Sequence, residues 1–133
     1  MTGLNPYLNF AGTCRDAMSF YRDCLGGELS IQTFAEAQQE VPDDYKNQVM
    51  HAELRMGSVL LMASDCPPEY SVTMGSNVIL NIGLSDVQEQ ETIFNKLSKG
   101  GVVTMELQDA FWGARFGMLT DRFGVHWMLN CDL

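Results

Sequence analysis

Thr120-Asp-Arg-Phe-Gly-Val-His-Trp-Met-Leu-Asn130 reads as a turn feeding a strand, close to the end of a 133-residue chain. Val125, Trp127 and Leu129 alternate with His126, Met128 and Asn130, which gives the strand one apolar face and one mixed face. The apolar set belongs against a helix. The mixed set, with its imidazole, thioether and amide, belongs against a cavity or a ligand, and Met128 is the position on which function turns.

The same landmarks occur once more upstream. Leu61-Met62-Ala63 falls where Trp127-Met128-Leu129 falls, and Tyr7-Leu-Asn-Phe10 matches Ile79-Leu-Asn-Ile82. Phe20 stands six residues before Gly26-Gly27, as Phe94 stands six before Gly100-Gly101. This shared order predicts a duplicated βαβββ unit with loops of unequal length.

In the first half, residues 4–10 read as a strand with Pro6 at its start, where a missing N–H is tolerated. A helix opens at Thr13 or Cys14 and carries Ala17, Met18, Phe20, Tyr21 and Leu25 at helical spacing before Gly26-Gly27 ends it. A strand over 29–34 leads into a polar loop, 35–47, long enough to act as a flap and with room for one helical turn. Strands over 48–56 and 59–64 flank Gly57-Ser58, a two-residue hairpin turn. Asp65-Cys-Pro-Pro-Glu-Tyr-Ser71 is a proline-bearing linker.

In the second half, a strand over 77–84 precedes a helix capped by Ser85-Asp86 that runs to about Lys99 with Val87, Glu91, Phe94 and Leu97. Strands follow over 102–107, 115–120 and 125–130, with a loop over 109–114. The expected fold class is α+β: one domain of two βαβββ modules in tandem, about 1–66 and 76–133. Together they would form a curved eight-stranded mixed sheet around a cleft, with the helices outside.

Composition narrows the function classes. A net charge of −9, with only eight Lys and Arg, argues against nucleic acid or an anionic membrane as partner. A hydrophobic content of 46% excludes a disordered chain, and no apolar run approaches the ~20 residues of a membrane span. Met1-Thr-Gly-Leu-Asn-Pro-Tyr7 has no basic leader region, so a cytoplasmic protein is expected. Cys14, Cys24, Cys66 and Cys131 show no paired spacing and read as reduced thiols, with a disulfide or a nucleophilic cysteine as the alternatives.

Alternation assigns the faces. Ala52, Leu54 and Met56 oppose Val59, Leu61 and Ala63 toward the helix, which leaves His51, Glu53 and Arg55 opposite Leu60, Met62 and Ser64. Tyr7 and Asn9 share that second face, as do Ile79, Asn81 and Gly83 in the repeat. In the closing hairpin, Phe116, Met118, Val125, Trp127 and Leu129 are expected under the helix, with Arg115, His126, Met128 and Asn130 opposite. Burying unpaired polar groups costs ~1–3 kcal/mol each, so these second faces should line a cleft rather than pack as an oily sandwich.

Each inward residue has two readings. His51 and His126 are either hydrogen-bonded rim histidines or ligand contacts. Arg55 either pairs with Glu53 or binds an anion. Arg115, following Trp112-Gly113, favours ligand contact, and Asn9 and Asn81 either bond each other or line the cleft.

The segment Phe20-Tyr-Arg-Asp-Cys-Leu-Gly26 within a duplicated βαβββ unit resembles the vicinal oxygen chelate superfamily of glyoxalases, bleomycin- and fosfomycin-resistance proteins and extradiol dioxygenases. Asn5-Pro-Tyr-Leu-Asn-Phe10, Asp109-Ala-Phe-Trp-Gly-Ala-Arg-Phe-Gly117 and Thr120–Asn130 resemble its PhnB-like branch, also labelled 3-demethylubiquinone 3-methyltransferase-like. The resemblance implies a metal held by one residue from the first and one from the fourth strand of each module, typically His and Glu. Those places carry Tyr7 (or Pro6), Met62, Ile79 and Met128, and none is a carboxylate or imidazole.

The sequence therefore predicts a metal-free, cofactor-free homodimer that binds a small polar or anionic organic molecule. The expected contacts are Tyr7, Asn9, His51, Glu53, Arg55, Met62, Asn81, Trp112, Arg115, His126, Met128 and Asn130. Two alternatives stand beside it. One is an isomerase, lyase or transferase with relocated metal ligands, or a metal-free enzyme using His126 or Glu53 as base. The other is a sequestering resistance protein. No glycine-rich nucleotide loop follows a first strand, which argues against methyl transfer.

Overall fold

A computed structural model describes residues 1–133, in which eight strands and two α-helices form two compact units, Met1–Thr73 and Met74–Leu133. The architecture is α+β, and each unit is one βαβββ module.

The first unit runs β1 (Tyr7–Phe10), α1 (Cys14–Leu25), β2 (Glu28–Thr33), β3 (Val49–Met56) and β4 (Val59–Asp65), with strand order β1-β4-β3-β2. The β1–β4 pair is parallel and the others antiparallel, so the sheet is mixed. Helix α1 buries Cys14, Ala17, Met18, Tyr21 and Cys24 on one stripe. That stripe meets the sheet face carrying Phe10, Ala52, Leu54, Leu61 and Ala63, all fully or nearly fully buried. The chain leaves α1 through Gly26 and Gly27 at φ +81° and +101°. A Cβ on Gly27 would lie 2.6 Å from the Arg55 carbonyl oxygen, so glycine is needed there for closeness as well as for φ.

Residues 35–47 are tied to their surroundings at several points. Phe34 and Ala35 donate backbone hydrogen bonds to Gln48 and Lys46, and Asp43–Tyr45 makes one 3-10 turn. The Tyr45 ring lies against Phe34 at 5.4 Å, and its hydroxyl donates to the Cys66 carbonyl. Burial, with Asp65 nearby, raises the Tyr45 pKa above the usual phenol value.

The second unit runs β5 (Leu80–Leu84), α2 (Val87–Leu97), β6 (Val102–Ala110), β7 (Ala114–Thr120) and β8 (His126–Asp132), in the order β5-β8-β7-β6. Asp86 caps α2, its carboxylate accepting from the Gln88 N–H at 3.1 Å. The buried stripe of α2 is Gln90, Ile93, Phe94 and Leu97, whereas Val87 and Glu91 lie at its exposed margin. Strand β6 is longer than the sequence predicts and carries two bulges, which leave most of it exposed.

One strand is inverted relative to expectation. Thr120 pairs with His126, Met118 with Met128 and Phe116 with Asn130. Directly opposed residues share a face, so Phe116 and Met118 join the open face and Arg115 goes to the helix side. Asp121 sets this register: its Oδ1 accepts from the Phe123 and Val125 N–H groups at 2.8 and 3.1 Å. Gly117 then comes under the helix, where a Cβ would stand 2.9 Å from both Phe94 and Leu107. Val125 belongs to this turn rather than to β8.

The pairing also refines the internal repeat. Tyr7 pairs with Met62, while Asn81 pairs with Met128. The counterpart of Tyr7 is therefore Asn81, and Ile79 stands before β5 begins.

Candidate functional site

The open face of the first unit carries a continuous chain of polar side chains. Tyr7 projects from β1 beside Met62, and Met62 is also the direct partner of Glu53 on β3. Across Met62, the Tyr7 hydroxyl lies 3.0 Å from His51 Nδ1, with the two rings 5.7 Å apart. His51 Nε2 lies 3.1 Å from Glu53 Oε1, and Glu53 Oε2 is 3.6 Å from an Arg55 guanidinium nitrogen. The spacing follows from the strand: His51, Glu53 and Arg55 alternate onto one face, which places successive side chains within reach. Asn9 extends the row, its Oδ1 accepting from Ser64 Oγ at 3.5 Å.

The counterpart face of the second unit differs in chemistry. Where the first unit has Tyr7, His51, Glu53 and Arg55 around Met62, the second has Asn81, Phe116, Met118 and Thr120 around Met128. Met105 on β6 opposes Met118 and lengthens this thioether surface. Trp112 stacks edge-on against Phe116 at 5.4 Å, and its Nε1–H donates to Asn130 Oδ1 at 3.2 Å. Asn130 in turn donates to Asp132 at 3.2 Å.

His126 is committed at both nitrogens. Nε2 donates to the Gly75 carbonyl at 2.8 Å, because a carbonyl oxygen only accepts, and Nδ1 pairs with Thr120 Oγ1 at 2.8 Å. It ties the segment before β5 to the β7–β8 hairpin, an arrangement that argues against a free base. Arg115 faces α2, where Nη1 lies 3.7 Å from Glu91 Oε2. The expectation that it shares the face of His126 and Met128 is therefore corrected.

Three buried polar residues escaped the sequence reading. Asp65 Oδ1 accepts from the Gly12 and Cys14 N–H groups at 2.8 and 3.0 Å, and Oδ2 accepts from Val49 N–H at 3.0 Å. Its place was legible, since Asp65 continues the helix-ward alternation of Leu61 and Ala63. Burial, reinforced by this carboxylate, pushes the Cys14 thiol up to about 12. Asp121 receives the Trp127 indole N–H at 2.8 Å besides its two turn amides. Gln90 donates through Nε2 to the Arg115 and Leu129 carbonyls at 2.8 and 3.2 Å. Nothing in the helical pattern marks an amide there.

The register tests the superfamily's metal against the residues present. The first- and fourth-strand positions hold Tyr7 and Met62 in one unit and Asn81 and Met128 in the other. Two thioethers, a phenol and an amide do not make a site for a hard or borderline divalent ion. No three His, Cys, Asp or Glu side chains gather within reach of one ion. His51 and Glu53, the nearest conventional ligands, are bonded to each other. The residues do not fit the metal.

The sequence model of the 3-demethylubiquinone-9 3-methyltransferase family matches residues 2–130. The chain belongs to that family. Protein YjdN of Escherichia coli K12 is 34% identical over 138 residues, covering 96% of this chain and 93% of that protein. The solved structure of PA1353 from Pseudomonas aeruginosa superposes with a TM-score of 0.90 at 43% identity, covering 99% of this chain and 98% of that one. A putative 3-demethylubiquinone-9 3-methyltransferase, PhnB protein, from Bacillus cereus superposes at 0.80 with 25% identity, covering 98% and 99%. The fold is that of the vicinal oxygen chelate superfamily, shared with glyoxalase/bleomycin-resistance and fosfomycin-resistance proteins at identities of 19% and 7%, a likeness of architecture alone.

The family's descriptive name implies a methyl-donor cofactor. Here the turn from β1 into α1 has a single glycine, and its Gly12 and Cys14 amides are taken by Asp65. Amides that would otherwise be available to a cofactor are filled from within the chain.

Proposed function

We propose that this protein binds a small polar organic molecule without a metal, using the open face of the first unit as the polar part of the site. The observation that carries this reading is the pair of methionines, Met62 and Met128, at the register positions where the superfamily's carboxylate ligands would stand. A thioether lines a ligand surface well and holds a divalent ion poorly. Support for polar recognition comes from the Tyr7–His51–Glu53–Arg55 chain, which presents donors and acceptors without burying them unpaired.

The test is ligand retention. Protein purified without chelator and analysed by native mass spectrometry should release a bound small molecule on denaturation, and extensive treatment with EDTA should leave that occupancy unchanged. Loss of the ligand with the metal would contradict the reading. The proposal includes an intracellular homodimer, for which the exposed Phe111 and Trp112 supply apolar surface. Light scattering that finds only monomer removes that part.

A second reading, acid–base chemistry at the same face, is favoured by one observation: His51 is bonded to a phenol on one side and a carboxylate on the other. Of the two candidate bases, Glu53 stays in this chain and His126 is engaged elsewhere.

A further inference from the structure

We infer that Tyr7, His51 and Glu53 form a proton relay whose outer terminus is the Tyr7 oxygen, and that the site takes weakly acidic hydroxyl ligands, phenols or enols, in ionised form. The inference rests on the binding reading above and adds the class of ligand and the direction of proton flow.

Direction follows from the hydrogen-bond inventory. An ionised Glu53 only accepts, so the 3.1 Å contact requires the proton on His51 Nε2. In the neutral ring, Nδ1 then carries the lone pair, and the 3.0 Å contact requires Tyr7 to donate its O–H inward. The phenol oxygen of Tyr7, a residue 45% exposed, keeps its lone pairs for the solvent side. A ligand reaching Tyr7 from outside therefore meets an acceptor, and it must bring a donor.

Two coupled proton transfers move one positive charge from the ligand to the imidazole. The ligand's O–H bond breaks and its proton forms a bond to the Tyr7 oxygen. The original Tyr7 O–H bond breaks and that proton bonds to His51 Nδ1. Tyr7 ends neutral, now donating to the ligand oxyanion, and the imidazolium stands beside the Glu53 carboxylate.

The surroundings favour that outcome. The groups facing His51 are Tyr7 from β1, Gln32 from β2 and Glu53 on its own strand, while Ser30 opposes Glu53, Glu28 opposes Arg55, and Met62 lies between Tyr7 and Glu53. No cation touches the imidazole itself. Arg55 contacts the far carboxylate oxygen and Glu28 stands opposite Arg55. The second unit makes the contrast: its counterpart positions hold Asn81, Phe116 and Met118, and no such chain is possible there.

The probe is 4-nitrophenol, whose anion is yellow, titrated in excess protein. The expected result is bound dye that ionises at a pH lower than the free dye, with its acid dissociation constant raised by about tenfold, one pH unit. Tyr7→Phe and His51→Gln should bind dye more weakly by equilibrium dialysis, and at protein concentrations that saturate them the bound dye should ionise at the free value, while Glu53→Gln should weaken the shift. Dye bound by the unaltered protein with no shift overturns the relay and leaves the binding reading standing. An equal shift in Tyr7→Phe also overturns the relay, and no dye bound at all overturns the ligand class. The unaltered protein gives an independent check through its imidazole nitrogen shifts. Neutral His51 must show the proton on Nε2, and the other tautomer contradicts the proposal whatever the variants do.

Discussion

At the scale of single residues, two carboxylates fix the geometry and neither is part of the open face. Asp65 gathers three N–H groups from the start of α1 and from β3, and Asp121 gathers two amides and the Trp127 indole. Removing the Asp65 carboxylate strands buried donors that each cost about 1–3 kcal/mol, so Asp65→Ala should lose roughly 3 kcal/mol or more of stability in urea unfolding. Cys14 gives a pH signature of the same corner. Its thiol is raised from 9.0 to about 12, so the folded state holds this proton more tightly than the unfolded chain. The sign follows directly: below pH 9 both states are protonated and the group is neutral to stability, and from pH 9 towards 12 stability falls as pH rises. Urea midpoints that decline across that window in the wild type, and less steeply in Cys14→Ala, would show it. Native protein should also resist thiol alkylation at Cys14 near pH 8.

At the scale of elements, the modules were readable because their punctuation is chemical. Gly26-Gly27, Gly57-Ser58, Asp86 and Gly100-Gly101 each stand where the structure turns or caps, and the faces of β1, β3, β4, β5 and β8 follow simple alternation. Strand β7 misled because Arg115, Gly117 and Leu119 form its helix side, and two of those are not apolar side chains. Phe116 and Met118 look like core residues and lie on the open face, a choice made by the Asp121 turn and invisible to periodicity alone. The glycines test this placement. Gly117→Ala should cost about 1–3 kcal/mol by overpacking against Phe94 and Leu107. Gly101→Ala should cost more, because its Cβ would stand 2.3 Å from the Thr120 carbonyl oxygen. On the open face, nothing lies within 4 Å of a Cβ at Gly83, so Gly83→Ala should stay within roughly 0.5 kcal/mol of wild type. Thermal unfolding of the three variants orders them.

At the scale of the whole molecule, the open face of one unit carries charged groups and that of the other mainly apolar ones on a shared βαβββ frame. The phenol–imidazole–carboxylate–guanidinium row around Met62 has as its counterpart an amide, an aromatic ring, a thioether and a hydroxyl around Met128. Duplication supplies equivalent positions, and at the first- and fourth-strand pair neither unit places a carboxylate or an imidazole. Metal chemistry is set by the residues at those positions rather than by fold or family. The most direct test is elemental analysis of protein purified without chelator and then offered zinc, nickel, manganese and ferrous ions in turn. Substoichiometric metal is expected throughout, with no change in thermal stability for any of the four. A stoichiometric ion, lost when Met62 or Met128 is replaced by Leu, would contradict it.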